Sequence, residues 1–123
     1  MSKKILSVGN CSFDHGQLAR LLRRHFRAEV FAVEHTEEAL QRLRTDQFDL
    51  VLVNRVFHGN GQQGLDAIRR MKADPDLAAM PVMLVSNLPE YQAEALAAGA
   101  EPGFGKSQFE VQESLESLRR FLE

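Results

Sequence analysis

The stretch Phe48-Asp49-Leu50-Val51-Leu52-Val53-Asn54 decides how this chain folds. Leu50 to Val53 are apolar without the polar alternation of a half-exposed strand, which is the pattern of a central parallel strand covered on both faces. Outward from this run, short β-type segments alternate with longer segments of helical period. Toward the N-terminus stand Ile5-Leu6-Ser7-Val8 and Val30-Phe31-Ala32-Val33; toward the C-terminus, Pro81 opens Val82-Met83-Leu84-Val85, and a brief fifth run lies near 102–105. The first helix shows Leu18, Leu21, Leu22 and Phe26 at i, i+3, i+4 and i+8, with Ser12 and Asp14 suited to its N-terminal end. Thr36 is placed to cap the second, whose Glu37 and Glu38 sit favourably against the helix dipole and whose Leu40 and Leu43 point inward. A Gly-rich loop, 58–64, leads to a third helix with Leu65, Ile68 and Met71 on its buried side, ended by a turn at Asp74-Pro75. Pro89 starts an alanine-rich fourth helix that Gly99 stops, and Val111, Leu115, Leu118 and Leu122 mark the fifth.

Five β-α units in succession predict a parallel sheet with helices on both faces. The count matches an α/β, flavodoxin-like, doubly wound (βα)5 sheet of strand order 2-1-3-4-5. With no linker, repeat or low-complexity tail, 1–123 reads as one domain. Sites in this architecture lie beyond the carboxyl ends of the strands, near the switch point between strands 1 and 3. That places Gly9, Asn10, Asn54, Ser86 and Lys106 at the candidate site.

Composition narrows the function. Of 123 residues, 44% are hydrophobic and 26% charged, enough for one core under a charged surface. A formal net charge of -2 gives no global electrostatic reason to seek nucleic acid or anionic membrane. A single cysteine, Cys11, excludes an internal disulfide and a cysteine-based zinc site. His15, His25, His35 and His58 are scattered without ligand spacing, so no metal is expected. The apolar run after Lys4 is broken by Gly9 and Asn10, far too short for a secretory core or a membrane span, and a cytoplasmic location is expected.

From Lys4 to the C-terminus the sequence resembles the receiver domains of bacterial two-component response regulators. The resemblance is carried by an apolar third strand, Leu50 to Val53, followed by Asn54; by a fourth strand opened by Pro81 and followed by Ser86; and by Gly99-Ala100 leading to Lys106 seven residues past the glycine. In that family the first strand ends in two acidic residues and the third in a phosphoacceptor aspartate. Here those positions hold Gly9, Asn10 and Asn54. Mg²⁺ is a hard ion normally held by carboxylates and waters, and phosphoryl transfer needs it to neutralise the transferring oxygens. Glycine offers no side-chain ligand and an amide carries no full charge. The amide nitrogen of Asn54 is a poor nucleophile, because its lone pair is delocalised. Ser107 follows Lys106 where the family has proline, and the family's switch aromatic falls at Gly103, with Phe104 one place late and so on the opposite face of the strand.

The resemblance implies a degenerate receiver of phosphorelay-type signal transduction: not an enzyme, without cofactor or metal, binding protein partners independently of phosphorylation. It implies a partner face on helix 4, strand 5 and helix 5, including homodimerisation, with Leu88 and Tyr91 as exposed apolar anchors. The alternative is a small-molecule or anion sensor in the remodelled pocket of Asn10, Asn54, Ser86 and Lys106. There Lys106 either pairs with Arg55 around an anion or is solvated and bonded to Asn54 and backbone carbonyls. Three further features carry plainer readings. Arg20, Arg23, Arg24 and Arg27 form a basic stripe, expected as a solvated face or an acidic-partner surface rather than a DNA contact. The run 100–107 fits a loose phosphate-loop pattern in the wrong strand-helix context. Cys11 is expected as a small, partly buried thiol.

Overall fold

A computed structural model describes residues 2–123. In chain order the elements are β1 (Lys3–Val8), α1 (Ser12–His25), β2 (Ala28–Val33), α2 (Thr36–Thr45), β3 (Leu50–Asn54), α3 (Gly64–Ala73), β4 (Val82–Val85), α4 (Pro89–Ala97), β5 (Glu101–Phe104) and α5 (Gln112–Leu122), with a short 3-10 turn at Lys106–Gln108. All strands run parallel in the order β2-β1-β3-β4-β5. The expected flavodoxin-like arrangement is therefore the one observed.

The unbroken apolar runs are explained by two cores, one on each face. Leu6, Val8, Val51, Val53, Val82 and Leu84 pack against α2, α3 and α4 through Leu40, Leu43, Ile68, Met71 and Ala95. Ile5, Leu50, Leu52, Met83 and Val85 pack against α1 and α5 through Leu18, Leu22, Leu118 and Leu122. Side chains of successive strand residues alternate between the faces, so the covered stretches Ile5–Val8, Leu50–Val53 and Val82–Val85 are apolar throughout except for the buried Ser7. Burying each such side chain is worth roughly 1.5–3 kcal/mol.

Two local expectations are corrected. Thr36 is the first residue of α2, not its cap; His35 holds the cap position without a side-chain bond, and the Thr36 N–H donates instead to Gln62 Oε1 at 2.9 Å. That partner comes from the loop after β3, a long-range contact that local spacing cannot reveal. At α1 Ser12 and Asp14 lie in the first turn as expected, and Cys11 just before them is the cap, its Sγ accepting from the Asp14 N–H at 3.4 Å. Val111 stands in extended backbone just before α5 and is 49% exposed, so the buried stripe is Ser114, Leu118 and Leu122.

β5 carries one extra residue relative to β4: Met83 pairs with Glu101 but Val85 with Phe104. Phe104 points to the α1–α5 face, as its one-place offset predicts, and meets Phe109 edge-on with ring centroids 5.2 Å apart. These two rings close the core beneath the β5–α5 connection. Phe104→Ala is expected to cost about 3–5 kcal/mol in urea denaturation, the usual range for emptying a buried aromatic site; a loss under ~1 kcal/mol would show that this packing does not hold the segment.

Candidate functional site

The fold brings the five candidate residues to the same edge of the sheet but not into one constellation. Gly9 and Asn10 follow β1, Asn54 ends β3, Ser86 follows β4 and Lys106 follows β5. Asn54, Ser86 and Lys106 line a common open cleft of about 300 Å³, with Arg55, Asn87 and Leu88. Gly9 and Asn10 do not line it.

The reason lies in the loop after β3. Phe57 turns back under the carboxyl end of β1 and is 1% exposed. Gly9 has φ +80°, a left-handed conformation that suits glycine, and a Cβ there would overlap the Phe57 ring. The ring thus occupies the space that a side chain at Gly9 would need. Hydrogen bonds fix it: the His58 N–H donates to Gly9 O at 2.8 Å and the Phe57 N–H to Gln62 O at 2.7 Å. Asn60 Nδ2 donates to Glu34 O at 2.8 Å, and with the Gln62–Thr36 bond this fastens the loop to the β2–α2 connection.

The two asparagines are used as braces. Asn54 Nδ2 donates to Val56 O at 2.8 Å and to Gly9 O at 3.3 Å, joining the ends of β3 and β1. An aspartate there would set a carboxylate oxygen against two carbonyl oxygens. Asn10 Nδ2 donates to Ser7 Oγ at 2.8 Å, while its Oδ1 is buried without a partner. One orphaned neutral oxygen is a poor match for Mg²⁺, which prefers carboxylates and a hydrated octahedral shell. Among the described residues no group of three or more His, Cys, Asp or Glu side chains could hold a metal ion. The residues present do not fit Mg²⁺.

Lys106 takes neither of its expected partners. Its Nζ donates to Asp14 Oδ2 at 2.7 Å, reaching α1 rather than Asn54 or Arg55. This hydrogen bond is the main cause holding the Asp14 carboxyl below its ordinary value of 3.8, against the opposing effect of partial burial and with help from the Cys11 thiol. Arg55 instead stacks on Tyr91, its guanidinium 4.6 Å from the ring centroid, and has no carboxylate partner among the described residues. Tyr91 is half-buried rather than exposed, packed against the core of this face with the Arg55 guanidinium over its ring; Leu88 is 41% exposed. Ser86 Oγ accepts from the Leu88 N–H at 3.2 Å, tying β4 to the start of α4.

Sequence reasoning missed Phe57, Asp14 and Asn87. Asn87 Oδ1 accepts from both the N–H (3.3 Å) and the hydroxyl (2.9 Å) of Ser107. Ser107 stands where the resembled family has proline, which has no N–H, so the substitution was itself the available signal. The run 100–107 folds as β5 and the start of the short 3-10 turn, with no α-helix opening at Lys106. Arg20, Arg23, Arg24 and Arg27 are exposed and enter no ion pair among the described residues. No helix among them is long and apolar enough to cross a membrane.

Comparison with known proteins agrees with this geometry at the level of fold. No protein-family model matches the chain, and no curated protein matches it. Solved structures do. A response regulator from Chloroflexus aurantiacus superposes with a TM-score of 0.82 at 21% identity, covering 98% of each chain. The signal receiver domain of a DNA-binding response regulator from Colwellia psychrerythraea gives 0.78 at 21% identity over 97% of each chain. The chemotaxis response regulator CheY4 of Vibrio cholerae gives 0.74 at 19% identity, covering 99% of this chain and 100% of its own. The structure neighbours are response-regulator receiver domains, and the fold is theirs.

Two outcomes follow from the site. Gly9→Asp is expected to destabilise the protein by about 2–4 kcal/mol, through overpacking against Phe57 and a non-glycine residue at positive φ. In the Phe57→Ala background the same change should cost distinctly less; equal costs in both backgrounds, measured by urea denaturation, would remove the steric account. For the ion pair, the folded Asp14 value lies below the unfolded one, so its stabilisation is present above pH 3.8 and lost as pH falls through the folded value. Because the pair is partly exposed, Lys106→Met should cost under about 1 kcal/mol at neutral pH. That difference from wild type should vanish once the pH is well below the lowered folded value; a difference that persisted there would not be electrostatic.

Proposed function

We propose that this chain acts as an atypical receiver in bacterial two-component signalling, a module that binds protein partners in the cytoplasm without being phosphorylated. The observation that carries the proposal is the Phe57 ring against Gly9, which fills the corner where the resembled family has an acidic side chain. The Asn54 amide committed to two carbonyls and Lys106 committed to Asp14 support it. A receiver needs a carboxylate acceptor and a Mg²⁺ ion, and this pocket fits neither. Residues 1–123 then work as one unit with no catalytic step, and information passes through surface contact alone.

The partner face in this reading is α4, β5 and α5, with homodimerisation included and Leu88 and Tyr91 as anchors. Leu88, exposed at the cap position of α4, and Tyr91, half-buried in its first turn, stand three residues apart. The test has two arms. Intact mass after incubation with acetyl phosphate and Mg²⁺ is expected to show no phosphoryl adduct, and an acid-labile acyl phosphate would overturn the proposal. A Leu88→Ala, Tyr91→Ala double variant should weaken self-association or partner binding by at least about tenfold, as interface anchors do. Unchanged association with an intact fold would move the partner face elsewhere.

One observation favours a second reading. The open cleft of about 300 Å³ carries Arg55 and Lys106 on its walls with Ser86 and Asn87, a donor-rich lining suited to a small anion. A ligand that binds only the folded state at a hundred times its dissociation constant adds roughly 2.7 kcal/mol. A thermal-shift series with inorganic phosphate and nucleotides therefore separates a sensor from a protein-binding module.

A further inference from the structure

The extra residue in β5 leaves a gap in the β4–β5 ladder, and a single side chain from α4 fills it. Gln92 Nε2 donates to Leu84 O at 2.9 Å and to Ser86 O at 3.1 Å, while its Oε1 accepts from the Gly103 N–H at 3.2 Å. Both amide protons and one oxygen lone pair are therefore used, all on backbone groups of β4, the residue that follows it, and β5. Pro102, beside the gap, has no N–H to offer. The fit depends on glycine at 103: a Cβ there would overlap Leu84 O and crowd Gln92 Oε1. Gly103 is also the position at which the sequence lacks the aromatic expected on this strand, and Phe104 is committed to the opposite core. Ser86, next to one of the accepting carbonyls, spends its hydroxyl on the Leu88 N–H at the start of the same helix.

From this arrangement we propose that Gln92 is a latch that holds α4 in one position on β4 and β5, so that the α4–β5 surface has a single, permanent form. Moving α4 away would strip partners from Leu84 O, Ser86 O and the Gly103 N–H together. Unpaired backbone groups at a mostly buried position are disfavoured, so the displaced state stays sparsely populated. Lifting the helix would also draw Tyr91 from under Arg55. The inference deepens the reading of a phosphorylation-independent module, and rests on it for its biological sense: a module with no chemical input has no use for two surface states.

The test uses hydrogen exchange on the whole chain with two variants of nearly the same size as glutamine. Gln92→Met keeps the volume and loses every hydrogen bond; Gln92→Glu keeps the acceptor and loses the donors. A latch predicts that both raise exchange in α4 and at Gly103 by at least about tenfold, equivalent to ~1.4 kcal/mol, while β1 and β3 stay within about twofold. A packing role alone predicts no change for either variant, and that result, or a uniform rise across the chain, overturns the proposal. Should the variants fail to fold, spin relaxation on the wild type decides. The latch requires no microsecond-to-millisecond exchange between residues 86 and 104, and exchange broadening confined to α4 would sink it. Acyl phosphate on the wild type with α4 still protected would remove the unphosphorylated-module reading and leave the latch standing. Unprotected α4 without phosphate would do the reverse.

Discussion

The contact between the Phe57 ring and the backbone at Gly9 organises the carboxyl edge of the sheet. A phenyl side chain driven under a strand end removes it from water, worth roughly 1.5–3 kcal/mol, and the chain around it is arranged to permit this. Glycine at position 9 makes the room. The loop after β3 must be long enough to bring Phe57 back, and its backbone bonds to Gly9 and to itself hold the return. Asn60 and Gln62 then tether that loop to the β2–α2 connection. What would be a charged, hydrated corner in a metal-dependent receiver is here a small extension of the apolar core.

The polar groups left at the edge have been redirected rather than abandoned. Asn54 spans two strand ends, Asn87 holds Ser107, Ser86 starts α4 and Gln92 bridges β4 to β5. Lys106 finds its counter-charge in Asp14, on a helix rather than on a ligand. Each of these bonds ties one strand or helix end to a neighbour. Such a site is suited to presenting a fixed surface.

The sheet was legible in the sequence because its information is local. Two unbroken apolar runs, Leu50 to Val53 and Val82 to Val85, have the pattern of strands covered on both faces, and the five-fold alternation with helical periods matches the observed doubly wound order. The placement of the five candidate residues at the carboxyl edge was legible for the same reason, since in this architecture strand ends lie along one edge. Their partners were not. Lys106 and Asp14 are 92 positions apart, Thr36 and Gln62 are 26 apart, and nothing in local spacing links them. The start of α2 and the exposure of Val111 also escaped it, because helix ends are set by tertiary contacts as much as by residue type, while the Cys11 cap is a local bond from a residue type that rarely caps. Phe57 was the costliest omission, since a lone aromatic in a polar loop reveals its burial only once the loop is seen to fold back.

The most direct test of the central claim is a Mg²⁺ titration followed by amide resonances at residues 9, 10, 54 and 58. The filled corner predicts that these signals do not move in a saturable way, apart from the small, uniform drift caused by ionic strength. Saturable shifts localised to Gly9, Asn10 and Asn54 would mean that the corner opens to a cation after all, and would contradict the account.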